Sequence, residues 1–103
     1  MFERLSAAYH SDSEIYQKIG FCYQKKGDYA NALEAFLKAE IISPDNFWTI
    51  RRIATCYRNM KKPEMALSYY HRAEKIQPEN LSVQMNIGHC YVEQKDYDEA
   101  LKY

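Results

Sequence analysis

The sequence lacks most of what would make its function easy to read. It has no excess of either charge: 14 Lys+Arg stand against 14 Asp+Glu. The simplest electrostatic case for a nucleic-acid or anionic-membrane binder is therefore missing. It has only three Gly and three Pro, too few for the many tight turns of an all-β chain. The glycines are isolated, so no phosphate-cradling Gly-rich loop exists. No apolar run approaches the length of a membrane-spanning helix. The N-terminus has Glu3 and Arg4 and no apolar stretch, unlike a secretory signal. Three Cys are an odd number, which argues against a complete disulfide framework. A hydrophobic fraction of 47%, including ten Tyr, is nonetheless enough for a packed core.

The cysteines reveal the organisation. Cys22, Cys56 and Cys90 are spaced by 34 residues, and each is followed by Tyr, at 23, 57 and 91. The same step links Ile19, Ile53 and Ile87; Gly20, Ala54 and Gly88; Ala32, Ala66 and Ala100; and Leu33, Leu67 and Leu101. It also pairs Phe36 with Tyr70, Ala39 with Ala73, Ile42 with Ile76, and Pro44 with Pro78. A fixed period of this size marks a solenoid or array.

Each period contains two amphipathic helices, A and B. Tyr16, Ile19, Gly20 and Tyr23 follow the i, i+3, i+4, i+7 spacing of one helix face. Gly27-Asp28 suits a left-handed C-terminal cap followed by an N-cap. Ala32, Phe36 and Ala39 define a face of helix B, and Pro44-Asp45-Asn46 stops it and caps the next A helix. The small residues at 20, 32 and 39 let antiparallel helices approach closely, while aromatic rings fill the space beside them.

These residues resemble the tetratricopeptide repeat, a helix-turn-helix of this period. The first copy reads Tyr16, Ile19, Gly20, Tyr23, Ala32, Phe36, Ala39, Pro44. The second reads Ile50, Ile53, Ala54, Tyr57, Ala66, Tyr70, Ala73, Pro78, and the third Gln84, Ile87, Gly88, Tyr91, Ala100. Tyr16 and Ile50 depart from the family's frequent Trp, and Gln84 is polar at the same place. The resemblance implies an all-α, right-handed superhelical solenoid of antiparallel helix pairs. The period divides the chain into residues 1–12, expected to be the second half of a preceding helix B, then repeats at 13–46, 47–80 and 81–103, the last ending within helix B.

No catalytic constellation emerges. Equivalent positions in stacked helices lie about 10 Å apart. A disulfide needs Cα atoms within about 7 Å, and zinc thiolates converge within about 2.3 Å of one ion. The cysteines are therefore expected to be small core residues, and unpaired thiols suit a cytoplasmic protein. His10, His71 and His89 share no spacing suited to a metal or a triad. The expectation is a non-enzyme with no cofactor and no metal. The Tyr at 23, 57 and 91 are expected to pack within each unit.

In the family the A helices line a concave groove, and ligand selectivity resides where the copies differ. Carried onto this chain, the groove comprises Phe21 and Lys25 from the first copy; Trp48, Arg51, Arg52, Thr55, Arg58 and Asn59 from the second; and Asn86 and His89 from the third. Glu14, Gln17, Lys18 and Met85 fall on the same faces. The middle set has three Arg, no acid and the chain's single Trp, a combination suited to gripping carboxylates beside an apolar anchor. Windows 13–26, 47–60 and 81–94 hold six basic residues against two acids, so zero net charge conceals a basic groove and an acidic remainder. The bland alternative for any one Arg is a salt bridge between repeats. Some family members clamp a partner's C-terminal carboxylate with a Lys-Asn-Asn-Lys-Arg set. Gln17, Phe21, Arg52, Ser82 and Asn86 depart from it, leaving a looser anionic-peptide groove.

The expected function is a protein-interaction scaffold that binds a partner's peptide segment of acidic or carboxylate character. Two alternatives remain. One is self-association as a homo-oligomer through uncapped repeat ends, with Phe2 and Leu5 at one end and Leu101 and Tyr103 at the other. The other is single-stranded RNA binding, as in some helical repeats, which overall neutrality disfavours.

Overall fold

A computed structural model describes the backbone of residues 2–103 and the side chains of residues 12–103. Among the described residues six helices follow one another: α1 (Phe2–Lys25), α2 (Tyr29–Ile42), α3 (Phe47–Asn59), α4 (Pro63–Ile76), α5 (Leu81–Glu93) and α6 (Tyr97–Ala100). Among the described residues, substantial packing occurs only between chain neighbours, which draws the molecule into an elongated body of 54 × 28 × 17 Å. The bounds of α3 and α5, and the starts of α2, α4 and α6, repeat at the 34-residue step.

Side-chain caps explain the register. Asp28, Asn46, Asn80 and Asp96 each accept a hydrogen bond from the backbone N–H three residues on, satisfying a donor the helix leaves free. Each A-to-B turn has one residue in the left-handed region: Gly27 at φ 83°, then Lys61 and Lys95, both at φ 63°. Glycine takes this conformation without steric cost, whereas the two lysines at the same turn position do not.

The core confirms the small-residue reading. Ala32, Phe36, Ala39, Ile53 and Ala54 are fully buried, as are Ala66, Tyr70, Ala73 and Ile87. Gly20 lies under the Phe36 ring, so closely that a Cβ would sit 2.7 Å from Cε1. Burying a side chain of this size contributes about 1.5–3 kcal/mol. Tyr70 keeps its hydroxyl satisfied at 2.9 Å from Thr55 Oγ1. Gln84, polar where the pattern asks for an aromatic, donates its amide to the Pro78 carbonyl at 2.8 Å.

Two features go beyond the periodic reading. First, α1 runs unbroken across residues 12 and 13, where the period places a repeat boundary. His10 occupies the register position of Pro44 and Pro78. Without proline the backbone keeps its N–H and its freedom to continue the helix. The side chains of Phe2 and Leu5, expected at an uncapped end, lie outside the described residues. Second, the repeating Cys and Tyr are not uniformly core. Cys56 and Cys90 are buried, but Cys22 is exposed, and Ile19 and Tyr23 are only partly covered. Position in the stack causes the difference, since α2 covers the equivalent face of α3 and α4 that of α5.

Candidate functional site

The A helices are stitched together along one side by polar side chains. Gln17 of α1 donates to Thr49 Oγ1 at 2.9 Å, and Arg52 of α3 reaches Gln24 of α1 at 3.4 Å. Arg58 of α3 reaches two groups on α5, Asn86 Oδ1 at 2.8 Å and Glu93 Oε1 at 3.3 Å. α1, α3 and α5 therefore share a continuous face, built from positions where the repeats differ.

Between α1 and α3 this face opens into a cleft of about 650 Å³. Glu14, Gln17, Lys18, Phe21 and Cys22 line one wall, Trp48 and Arg52 the other. The Arg52 guanidinium carbon lies 5.1 Å from the Phe21 ring centre and 5.0 Å from that of Trp48. Lys25 Nζ lies over Phe21 at 5.2 Å. Trp48 is held in turn by edge-on contact with Phe36, at 5.7 Å and 74° between planes. The cleft is thus an aromatic pair threaded by cations, an arrangement favoured by the negative face of each ring.

Its electrostatics are unbalanced. Burial, and then the neighbouring Arg51 charge, lowers the Arg52 pKa from its ordinary value. Arg51 forms no ion pair among the described residues, and the Nε atoms of both arginines are buried without a hydrogen-bond partner there. Two adjacent guanidiniums with spare donors present a demand for anionic oxygen that the surrounding side chains leave unmet.

The other expected groove residues serve different ends. Arg58 is already engaged by Glu93 and Asn86, so the salt-bridge alternative holds for that arginine. Thr55 turns inward, donating to the Arg51 carbonyl at 3.0 Å and meeting Tyr70. Asn59 is exposed at the end of α3. His89 lies apart, exposed, in a shallow depression with Met85, Gly88, Val92 and Tyr103. The structure therefore brings together Phe21, Lys25, Trp48 and Arg52, leaves Arg51 beside Arg52 but outside the cleft lining, and does not join Asn59 or His89 to them. Cys22 was missed as a cleft residue because its repeat partners Cys56 and Cys90 are core. Burial pushes their thiols up, to about 12 and about 11 respectively.

No described helix is long and apolar enough to cross a membrane. A family model for the N-terminal TPR repeats region of Psidin matches residues 20–102. No curated protein sequence matches the chain. Several solved structures share the fold. A MamA structure is 22% identical with a TM-score of 0.85, over 89% of this chain and 50% of its own. The first TPR of Spaghetti (RPAP3), bound to the HSP90 peptide SRMEEVD, is 22% identical with a TM-score of 0.84, over 89% of this chain and 73% of its own. The Sgt2 TPR domain from Aspergillus fumigatus is 20% identical with a TM-score of 0.79, over 85% of this chain and 58% of its own. The chain thus spans about half the length of the MamA structure. These likenesses show the right-handed superhelical solenoid of helix pairs, and the family model covers most of the sequence. The chain belongs to the tetratricopeptide repeat family.

Proposed function

We propose that this repeat scaffold binds a peptide segment of a partner protein along the face shared by α1, α3 and α5. The segment carries a carboxylate, from an acidic side chain or a chain terminus, that is received by Arg51 and Arg52. An apolar side chain beside it enters the cleft against Phe21 and Trp48. The observation that carries this reading is the adjacent pair of arginines whose buried Nε atoms have no acceptor among the described residues. A carboxylate beside the two side chains would offset the repulsion that, after burial, lowers the Arg52 pKa. The similar RPAP3 structures, bound to a peptide containing Glu-Glu-Val-Asp, support the choice of an acidic ligand.

No residue set for bond-making chemistry is required for this role, and the scaffold works by recognition alone. Ordering a flexible peptide costs entropy, so one module of this size binds weakly and its affinity falls with salt. The test is titration of a fluorescent SRMEEVD peptide, its C-terminal amide and a charge-reversed version into the wild type and an Arg51→Ala, Arg52→Ala double variant. The acidic peptide binds the wild type, loses at least about tenfold in affinity on the double variant, and weakens with salt. Equal affinity for both proteins, or for the charge-reversed peptide, overturns the electrostatic reading.

A further inference from the structure

Arg52 rests on both of the rings that an incoming apolar side chain needs. Its guanidinium carbon is 5.1 Å from the Phe21 ring centre and 5.0 Å from that of Trp48, so one cation covers the aromatic surface of the cleft. Little else holds it there. Its Nη1 reaches Gln24 Oε1 only at 3.4 Å. Its Nε is buried without an acceptor among the described residues. Burial and the adjacent Arg51 charge both disfavour the cation in this place. Swung outward, the same side chain recovers hydrogen bonds for Nε.

The stacking of the repeats does not call for this arrangement. At the 34-residue step, Phe21, Trp48 and Arg52 become Thr55, Ser82 and Asn86. The α3–α5 junction therefore forms without an aromatic slot or a cation within it, and closes through Arg58 with Asn86 and Glu93. The α1–α3 junction has a polar tie of its own, from Gln17 to Thr49 at 2.9 Å. The slot and its cation are thus features of one junction, where the repeats differ.

Arg52 belongs to both halves of the binding site, and it cannot serve both at once in the arrangement seen. A guanidinium paired with a carboxylate in bidentate geometry is held more strongly than one resting on part-exposed rings. We propose that Arg52 is a gate: in the free protein its guanidinium fills the Phe21–Trp48 slot, and a ligand carboxylate draws it out, so the slot opens to an apolar side chain when an acid stands beside it. This rests on the acidic-peptide reading above, and it makes Arg52 the residue that sets specificity. An apolar segment without an acid must displace the cation unaided. Carboxylate and apolar anchor therefore act cooperatively, not additively.

Trp48 is the chain's single tryptophan, so its fluorescence reports the slot. The capped dipeptide Ac-Glu-Glu-NH2 offers carboxylates and no apolar side chain. Titrated at constant ionic strength, it moves the Trp48 emission of the wild type in the direction that Arg52→Ala shows without ligand. It leaves the emission of Arg52→Ala unchanged, and Ac-Gln-Gln-NH2 affects neither protein. Circular dichroism checks that the variant keeps wild-type helicity. Peptide affinities then measure the coupling. SRMEEVD is compared with the amidated, carboxylate-free analogue SRMQQVN, each with its Met and Val kept or replaced by Gly. In the wild type, losing the apolar side chains weakens the acidic peptide at least about threefold more than the carboxylate-free one. Arg52→Ala abolishes that difference and binds the carboxylate-free peptide at least about threefold more tightly than the wild type does. An unmoved wild-type Trp48 emission, or equal affinity of the two proteins for the carboxylate-free peptide, overturns the gate. If the dipeptide moves Trp48 while SRMEEVD fails to bind, the peptide reading falls and the gate stands.

Discussion

The Phe36 ring occupies the space that any side chain at Gly20 would need, its Cε1 atom 2.7 Å from the position of a Cβ there. Phe36 is fully buried and also supports Trp48 from behind, so the ring has no free direction in which to move. Gly20→Ala therefore overpacks the α1–α2 interface, at a cost of about 1–3 kcal/mol. Roughly 1 kcal/mol returns from helix propensity, leaving a net destabilisation. Gly88→Ala provides the contrast, because its nearest neighbour would be Tyr103 Cβ at 3.4 Å. That change is neutral or stabilising by up to about 1 kcal/mol. Urea denaturation of the two variants checks the difference, and equal effects would contradict the packing argument.

The turns support a second prediction. Lys61 and Lys95 hold φ 63° where the first repeat has Gly27 at φ 83°. A non-glycine residue in this region costs roughly 1–2 kcal/mol. Lys61→Gly is expected to stabilise the fold by about 0.5–1 kcal/mol, and Gly27→Ala to destabilise it by about 1 kcal/mol. A lower melting temperature for Lys61→Gly would show that the turn relies on the lysine side chain instead.

The three arginines of α3 separate into different roles. Arg58 bridges to Asn86 and Glu93, and its truncation loosens the junction between the second and third units by about 1 kcal/mol. Arg51 makes no comparable contact among the described residues, so Arg51→Ala leaves the unfolding free energy within about 0.5 kcal/mol of wild type while weakening acidic-peptide binding. Thermal melts and peptide titrations on both single variants distinguish the roles. A stability loss on Arg51→Ala matching that on Arg58→Ala would show Arg51 to be structural.

The thiols predict both a reactivity order and a pH dependence. Cys22 reacts rapidly with a thiol reagent near neutral pH, whereas Cys56 and Cys90 react only after unfolding. In the folded chain, burial holds these two thiols protonated up to about 12 and about 11, while the unfolded chain releases the protons near about 8.5. Above that value the unfolded state binds fewer protons, so stability is fully present below it and falls as pH rises towards 11–12. Burial raises Tyr70 as well, in the same sense. A Cys56→Ala, Cys90→Ala variant therefore shows a shallower alkaline decline, though not a flat one. Urea midpoints measured from neutral pH upward check this, and an unchanged slope would refute it.

Much of the molecule was legible before any coordinate was known. The 34-residue step, the helix pairs, the Asp and Asn caps and the Gly27 turn all follow from short-range stereochemistry repeated in phase. Short-range rules work here because each helix packs mainly on its chain neighbours, so local pattern and tertiary contact coincide.

What the sequence alone determined, then, is the repeat and the cationic, aromatic character of its A helices. Only the tertiary structure decided which copies of an identical motif are buried and which arginines are already engaged. Cys22 and Cys56 share a motif, yet one is exposed and the other buried, because among the described residues only the second has a B helix, α2, packed over it. Arg51 and Arg58 both lie on α3, yet only Arg58 meets a carboxylate on the next unit. Burial and pairing are properties of neighbours contributed by adjacent units, and a periodic sequence gives equivalent residues the same local form whatever stands beside them.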